Sequence, residues 1–225
     1  MATIILKGVR LSFPDLHQRG KAPDNAAPGT LGKYGAQFIY DAGSENDNIA
    51  KKAFIEAAQA EFGANWQAIV GAMEKSKKCI RKGNENLTRD GVIRDGYKDK
   101  LYIVARNKTQ PLLIGPSRTK PKGFNDENHS DGFPILREAS GLPYGGCYVN
   151  VKIDIKAMKA KEKIPNQIYA SLLTVQYAAK GEAFGAAPGT AEGFDDDGSG
   201  AVEGGAPWGG GDAPSASQPA GDDLF

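Results

Sequence analysis

Residues 181–225 carry no lysine or arginine, nine acidic side chains, 12 glycines, nine alanines and four prolines. Apolar surface in such a segment is too sparse to offset the entropy of ordering it, so a disordered acidic tail is expected over residues 181–225. The fold must then be built from residues 1–180, a length that supports one core in one domain. Those residues hold 28 basic against 18 acidic side chains, and the formal charge of +1 for the whole chain conceals a body of +10 joined to a tail of −9. Segregation of this kind points to a nucleic-acid-binding body with a polyanionic tail.

The body reads mostly as strands. Residues 146–156 alternate most cleanly, with Cys147, Val149, Val151, Ile153 and Ile155 on one face and Tyr148, Asn150, Lys152, Asp154 and Lys156 on the other. Residues 33–40 set Tyr34, Ala36, Phe38 and Tyr40 against Lys33, Gly35, Gln37 and Ile39. Residues 3–13 put Ile5, Val9, Leu11 and Phe13 on one parity, interrupted by Lys7. Residues 100–107 and 167–178 complete the set. This period-2 patterning predicts a mainly β body, a five-stranded OB-like barrel. A pair of helices is inserted: Asn46 or Asp47 caps the first, which runs through about Phe62. In the second, Trp66, Ile69, Val70 and Met73 form an apolar stripe that packs on the sheet. Long Gly/Pro-rich loops are expected at 14–32, 82–97 and 115–146, lengths that usually carry function or disorder.

No run of 18 apolar residues is present, and the start MATIILKGVRLSF lacks the features of a secretory signal, so a cytoplasmic protein is expected. The two cysteines, Cys79 and Cys147, read as reduced thiols. The only histidines are His17 and His129, and no Cys or His pair has ligand spacing, so neither a metal nor another cofactor is expected.

Residues 75–122 contain 14 basic and four acidic side chains, an excess equal to that of the whole body. Clustered cations release counterions as they neutralise phosphates, which gives salt-sensitive binding without sequence reading. Aromatic rings among the cations add platforms on which unpaired bases stack. The candidate DNA contacts are Lys33 and Tyr34, then Lys77, Lys78, Arg81 and Lys82, then Tyr97, Lys98, Tyr102, Arg106 and Lys108. Arg118, Lys120 and Lys122 alternate along one loop, and Tyr144 and Tyr148 bracket the start of a strand.

The tail has its own chemistry. Tethered carboxylates mimic a nucleic-acid backbone and compete for the basic groove at high effective concentration. The final Asp222, Asp223, Leu224 and Phe225 combine charge with an aromatic anchor, a workable ligand for a partner enzyme. Two other classes fit less of the chain. A metal-dependent nuclease could draw on Asp90, Asp95 and Asp99, but these sit among glycines and arginines as turn residues do. An architectural duplex binder would share the cations without needing the rings.

The basic β-rich body, the helices between early strands, the GKYGAQF and YGGCYVNVKI strands and the acidic DDLF terminus together resemble phage-encoded single-stranded-DNA-binding proteins. The resemblance implies an OB-fold body that protects single strands during replication and recombination in the cytoplasm of an infected bacterium. It also implies recruitment of replication enzymes through Asp222, Asp223, Leu224 and Phe225, and a monomer or homodimer rather than a tetramer.

Overall fold

The computed structural model describes residues 2–185 except 23, 25, 119–127 and 163. Its strands are β1 (Ala2–Asp15), β2 (Tyr34–Asp41), β3 (Ile80–Lys82), β4 (Lys100–Asn107), β5 (Leu112–Ile114), β6 (Tyr148–Met158) and β7 (Gln167–Ala179). Five of them run side by side as β4–β2–β1–β6–β7, and a parallel bridge between Ala105 and Ala170 joins β7 back to β4. The result is a closed five-stranded barrel of OB type, with β3 flanking β4 and β5 flanking β7. Closure removes the free edges that an open sheet would leave.

The expected inward face of β6 is the barrel interior: Cys147, Val149, Val151, Ile153 and Ile155 are all fully buried. Ala36, Phe38 and Tyr40 of β2 meet them, as does Ile103 of β4. Burying side chains of this size contributes roughly 1.5–3 kcal/mol each. In β1 the expected parity fails. The register shifts between Leu6 and Val9, where Gly8 takes φ 60°, so that Leu6 points inward and Ile5 is exposed while Val9 and Leu11 stay buried; a second shift, against β2 between Ser12 and Asp15, comes where Phe13 takes φ 47° and is exposed. One extra residue in a bulge reverses which parity faces the core.

The inserted helical segment has two joined pieces, α1 (Glu45–Phe62) and α2 (Trp66–Ala72), linked by a 3-10 turn at Gly63–Asn65. Ser44, rather than Asn46 or Asp47, is the N-cap, and its hydroxyl accepts from the Asp47 N–H at 3.3 Å. Asp47 is buried instead, where its carboxylate takes the Gly43 N–H at 2.8 Å and the Lys51 ammonium at 2.7 Å. Small Ala50, Ala53, Ala57 and Ala58 let α1 lie close on the barrel. The stripe on and after α2 behaves as expected, with Met73 buried and Trp66, Ile69 and Val70 packed against the core. Among the described residues no helix is long and apolar enough to cross a membrane.

Candidate nucleic-acid interface

Barrel register fixes which side chains share the outer face of β1, β2 and β4. Arg10, Ile39 and Tyr102 form one row, Ser12, Gln37 and Val104 the next, and Gly35 stands beside Arg106. The loop at residues 83–99 packs over the first two rows. Its Tyr97 ring meets Tyr102 edge-on, with centroids 5.2 Å apart and an interplanar angle of 83°. The Asn86 amide also reaches Gln37, donating to Oε1 at 3.0 Å. Burial pushes the Tyr97 phenol up to about 12, against the lowering pull of a hydrogen bond from Ser12.

Two candidate stacking rings are therefore corrected. Tyr97 is 1% exposed and Tyr102 6% exposed, so neither can offer a face to a base. Tyrosines among charged neighbours are open to solvent only when nothing packs on them. Here they form a second small core with Ile39, flanked by Ile93, Val104 and Phe184.

Beside this covered patch lies an open groove of about 580 Å³, walled by Phe13, Val92, Ile93, Arg94, Tyr144 and Phe184. Phe13 is 47% exposed and sits at φ 47°, in the left-handed region that bulky side chains rarely adopt. Backbone strain of this kind persists where the surrounding structure holds it, and it clusters at ligand sites. The Arg94 guanidinium stands 5.1 Å from the Phe13 centroid. Across the groove, Arg10 lies 4.2 Å over the Phe184 ring.

Further cations border the same end of the sheet face. Register places Asp15 of β1 opposite Gly35, and Gly35 opposite Arg106. Gly35 has no room for a side chain, since a Cβ there would lie 2.7 Å from Arg106 Cγ. The exposed Arg106 thus lies across β2, with exposed Lys33 and Lys108 at the neighbouring strand ends. Tyr34 is half-buried, with the Arg19 guanidinium 5.1 Å from its ring.

The remaining candidates scatter. Lys82 and Lys98 are exposed, whereas Lys77 and Lys78 are half-buried. Arg81 folds its own turn, donating to the carbonyls of Lys78 at 3.0 Å and Ser76 at 2.8 Å. Arg118 is exposed and stands 5.3 Å from the Phe133 centroid. The Tyr144 hydroxyl donates to the Gly181 carbonyl at 2.9 Å while its ring edges the groove. Tyr148 is 39% exposed on β6 and faces a smaller cavity beside Arg10 and Lys100. Lys120 and Lys122, and Asp222, Asp223, Leu224 and Phe225, lie outside the described residues. Among the described residues no group of three or more His, Cys, Asp or Glu gathers, and Asp99 instead holds the Asn84 amide at 3.0 Å.

The groove adds residues that the sequence does not single out as contacts, Phe13, Arg94 and Phe184, with Arg10 over the Phe184 ring. Strand parity puts Phe13 inward with Val9 and Leu11, and the register shift between Ser12 and Asp15 turns it out. Composition puts Phe184 in the tail, yet residues 181–185 pack on the barrel.

A closed OB-type barrel with a basic, aromatic-walled groove beside its β1–β2–β4 face defines the class of OB-fold oligonucleotide binders. The chain belongs to the family of the ssDNA-binding protein of Enterobacter phage Enc34, whose profile matches residues 2–204. That family is not enzymatic. Protein p50 of Acyrthosiphon pisum secondary endosymbiont phage 1 is 33% identical over 198 residues, covering 86% of this chain and 92% of p50. The fold is shared with the bacteriophage Enc34 single-stranded DNA-binding protein solved in complex with ssDNA, at TM-score 0.56 and 23% identity over 81% of this chain and 89% of that one. A second structure of the bacteriophage Enc34 single-stranded DNA-binding protein aligns at TM-score 0.54 and 22% identity, covering 88% of each chain.

Proposed function

We propose that this protein binds single-stranded DNA without reading its sequence, and protects it during phage DNA replication and recombination in the host cytoplasm. The observation that carries this reading is Phe13, a strained and exposed ring in a groove lined by apolar side chains and Arg94, on a sheet face that also carries exposed Arg106, with exposed Lys33 and Lys108 at the neighbouring strand ends. Phosphates pair with the cations, and bases stack on Phe13 and on the open faces of Tyr34 and Tyr148, each stack contributing about 1–3 kcal/mol. A base can reach these rings only when it is unpaired, which favours single strands over duplex. Family membership and the DNA-bound structure of the Enc34 relative support the same reading.

The acidic tail regulates this binding and recruits partners. Its support is the charge segregation between body and tail. Tail carboxylates compete with phosphates for the body's cations, and DNA binding frees Asp222, Asp223, Leu224 and Phe225 for replication or recombination enzymes. The binding unit is a monomer or homodimer. A titration of oligo-dT against duplex of equal length, across a range of salt, tests the reading. Preference for oligo-dT with a steep salt dependence supports it, and equal affinity for both strand forms overturns it in favour of architectural duplex binding.

A further inference from the structure

Residues 181–185 leave β7 and cross the barrel surface as a strap. Gly181 and Gly146 press backbone to backbone. A Cβ on Gly181 would collide with the Gly146 carbonyl, and one on Gly146 would collide with that of Glu182. The Phe184 N–H donates to the Gly145 carbonyl at 3.0 Å, and the Gly181 N–H donates to the Tyr144 hydroxyl at 3.2 Å. Arg10 ties the strap to β1: its guanidinium donates to the Glu182 carbonyl at 2.8 Å and to the Gly146 carbonyl at 3.2 Å, and covers the Phe184 ring. The ring also rests on Gly96, where a Cβ would come within 2.6 Å of it. Phe184 also packs on the Ile39, Tyr97 and Tyr102 cluster.

Phe184 therefore bridges three elements: β1 and the loop 83–99 through its ring, at Arg10 and Gly96, and the turn before β6 through its N–H, at Gly145. All three supply walls of the groove. Residues 83–99 contain little regular structure, a 3-10 turn at Gly83–Glu85 and a bridge between Leu87 and Ile93, and are held to the barrel by buried Tyr97 and by the Gln37 side chain. A loop with so few anchors opens locally at small free-energy cost when one of them is lost.

We infer that the strap belongs to the binding body, and that Phe184 is a positioning residue which fixes the loop 83–99 against β1 and so keeps the groove formed before DNA arrives. This inference rests on the proposed single-strand binding at that groove. Preformed walls spare the ordering entropy that a mobile loop would lose on binding. The chemistry required of residue 184 is a flat ring that can meet both a guanidinium and a glycine. A smaller apolar side chain fills neither contact. The net charge of the groove is untouched by the ring, so the strap acts on shape and order and leaves the ionic part of the affinity alone.

The test uses the full chain with Phe184→Ala and Phe184→Trp, hydrogen exchange without DNA, and oligo-dT binding across a range of salt. With Phe184→Ala, exchange of the amides in residues 84–98 should quicken by roughly tenfold or more while the barrel strands keep their protection. Affinity for oligo-dT should fall on the order of 10-fold with the salt slope unchanged, because no cation is lost. Phe184→Trp should restore both. Unchanged exchange at residues 84–98 overturns the inference, and so does faster exchange with unchanged affinity. Failure of the wild-type chain to prefer oligo-dT over duplex would overturn the proposed function instead, and the exchange result would still decide the strap's effect on the loop.

Discussion

The Tyr97 hydroxyl donates to Gln37 Oε1 at 2.7 Å, which pins the loop 83–99 to the outer face of β2. A residue drawn from the most basic stretch of the chain thus serves to hold structure together. Tyr97→Phe should cost about 1 kcal/mol of stability, the worth of one hydrogen bond, and should leave the ring packing in place. Tyr102→Ala should cost more, about 3–5 kcal/mol, because a large buried ring is removed. Urea denaturation of both variants checks the order, and equal stabilities would contradict the burial of Tyr102.

Phe13 should behave in the opposite way. Phe13→Ala removes a ring that is half in water, so the fold should tolerate it. Binding of oligo-dT should weaken by about 1–3 kcal/mol, the loss of one base stack. Parallel titrations of Tyr34→Ala and Tyr148→Ala show how far the stacking path extends. Normal binding by all three folded variants would refute stacking at this face.

Salt should act steeply and linearly on the logarithm of affinity, with a slope of about −0.7 for each phosphate neutralised on a single strand. Replacing Arg106 by Gln should lower the magnitude of that slope by about one phosphate's share, whereas Phe13→Ala should leave it as it was. A flat salt response in the wild-type chain would remove the cations from the mechanism.

Deleting residues 186–225 removes eight carboxylates and keeps the strap. Affinity for single strands should rise, most at low salt where attraction is least screened, and some duplex binding should emerge. Removing only Leu224 and Phe225 should change DNA affinity little and should abolish capture of a replication enzyme. Equal low-salt affinities with and without residues 186–225 would rule out competition.

Alkaline pH should loosen the body. Burial raises the Cys79 thiol from 9.0 to about 12, the Cys147 thiol from 9.0 to about 11, and the Tyr97 phenol from 10.0 to about 12. Each group keeps its proton longer in the fold than in the unfolded chain. Their stabilising effect is complete below pH 9 and is lost as pH rises from 9 towards 12. Denaturation midpoints across that window should fall steadily, and a flat profile would contradict the burial of these groups.

Most of the barrel was legible because its pattern is local. Along β6 and Cys147 before it, alternation alone identifies all five inward residues, since the register shifts against β7 put their extra residue on β7. In β1 the same reading fails at Gly8, because an added residue leaves no mark on composition. The covered face was illegible for another reason. Gln37 and Tyr102 look like a polar or half-polar surface until the loop 83–99 folds over them and buries its own Tyr97 there, and that docking is a tertiary event. The groove inherited both difficulties: Phe13 depends on the irregular end of β1, and Phe184 on a strap that follows the last strand. The exposure of Lys33, Arg106 and Lys108 was legible, because charge avoids burial wherever it falls in the chain.

The barrel closes where Ala105 meets Ala170, two small buried side chains on parallel strands far apart in sequence. Hairpin partners such as β6 and β7 can find each other early, whereas this seam must wait until both have been carried round the cylinder. It is then the last stitch of assembly and the first to give. Larger side chains at either alanine should speed unfolding and hardly slow refolding, a signature that chevron kinetics would read directly.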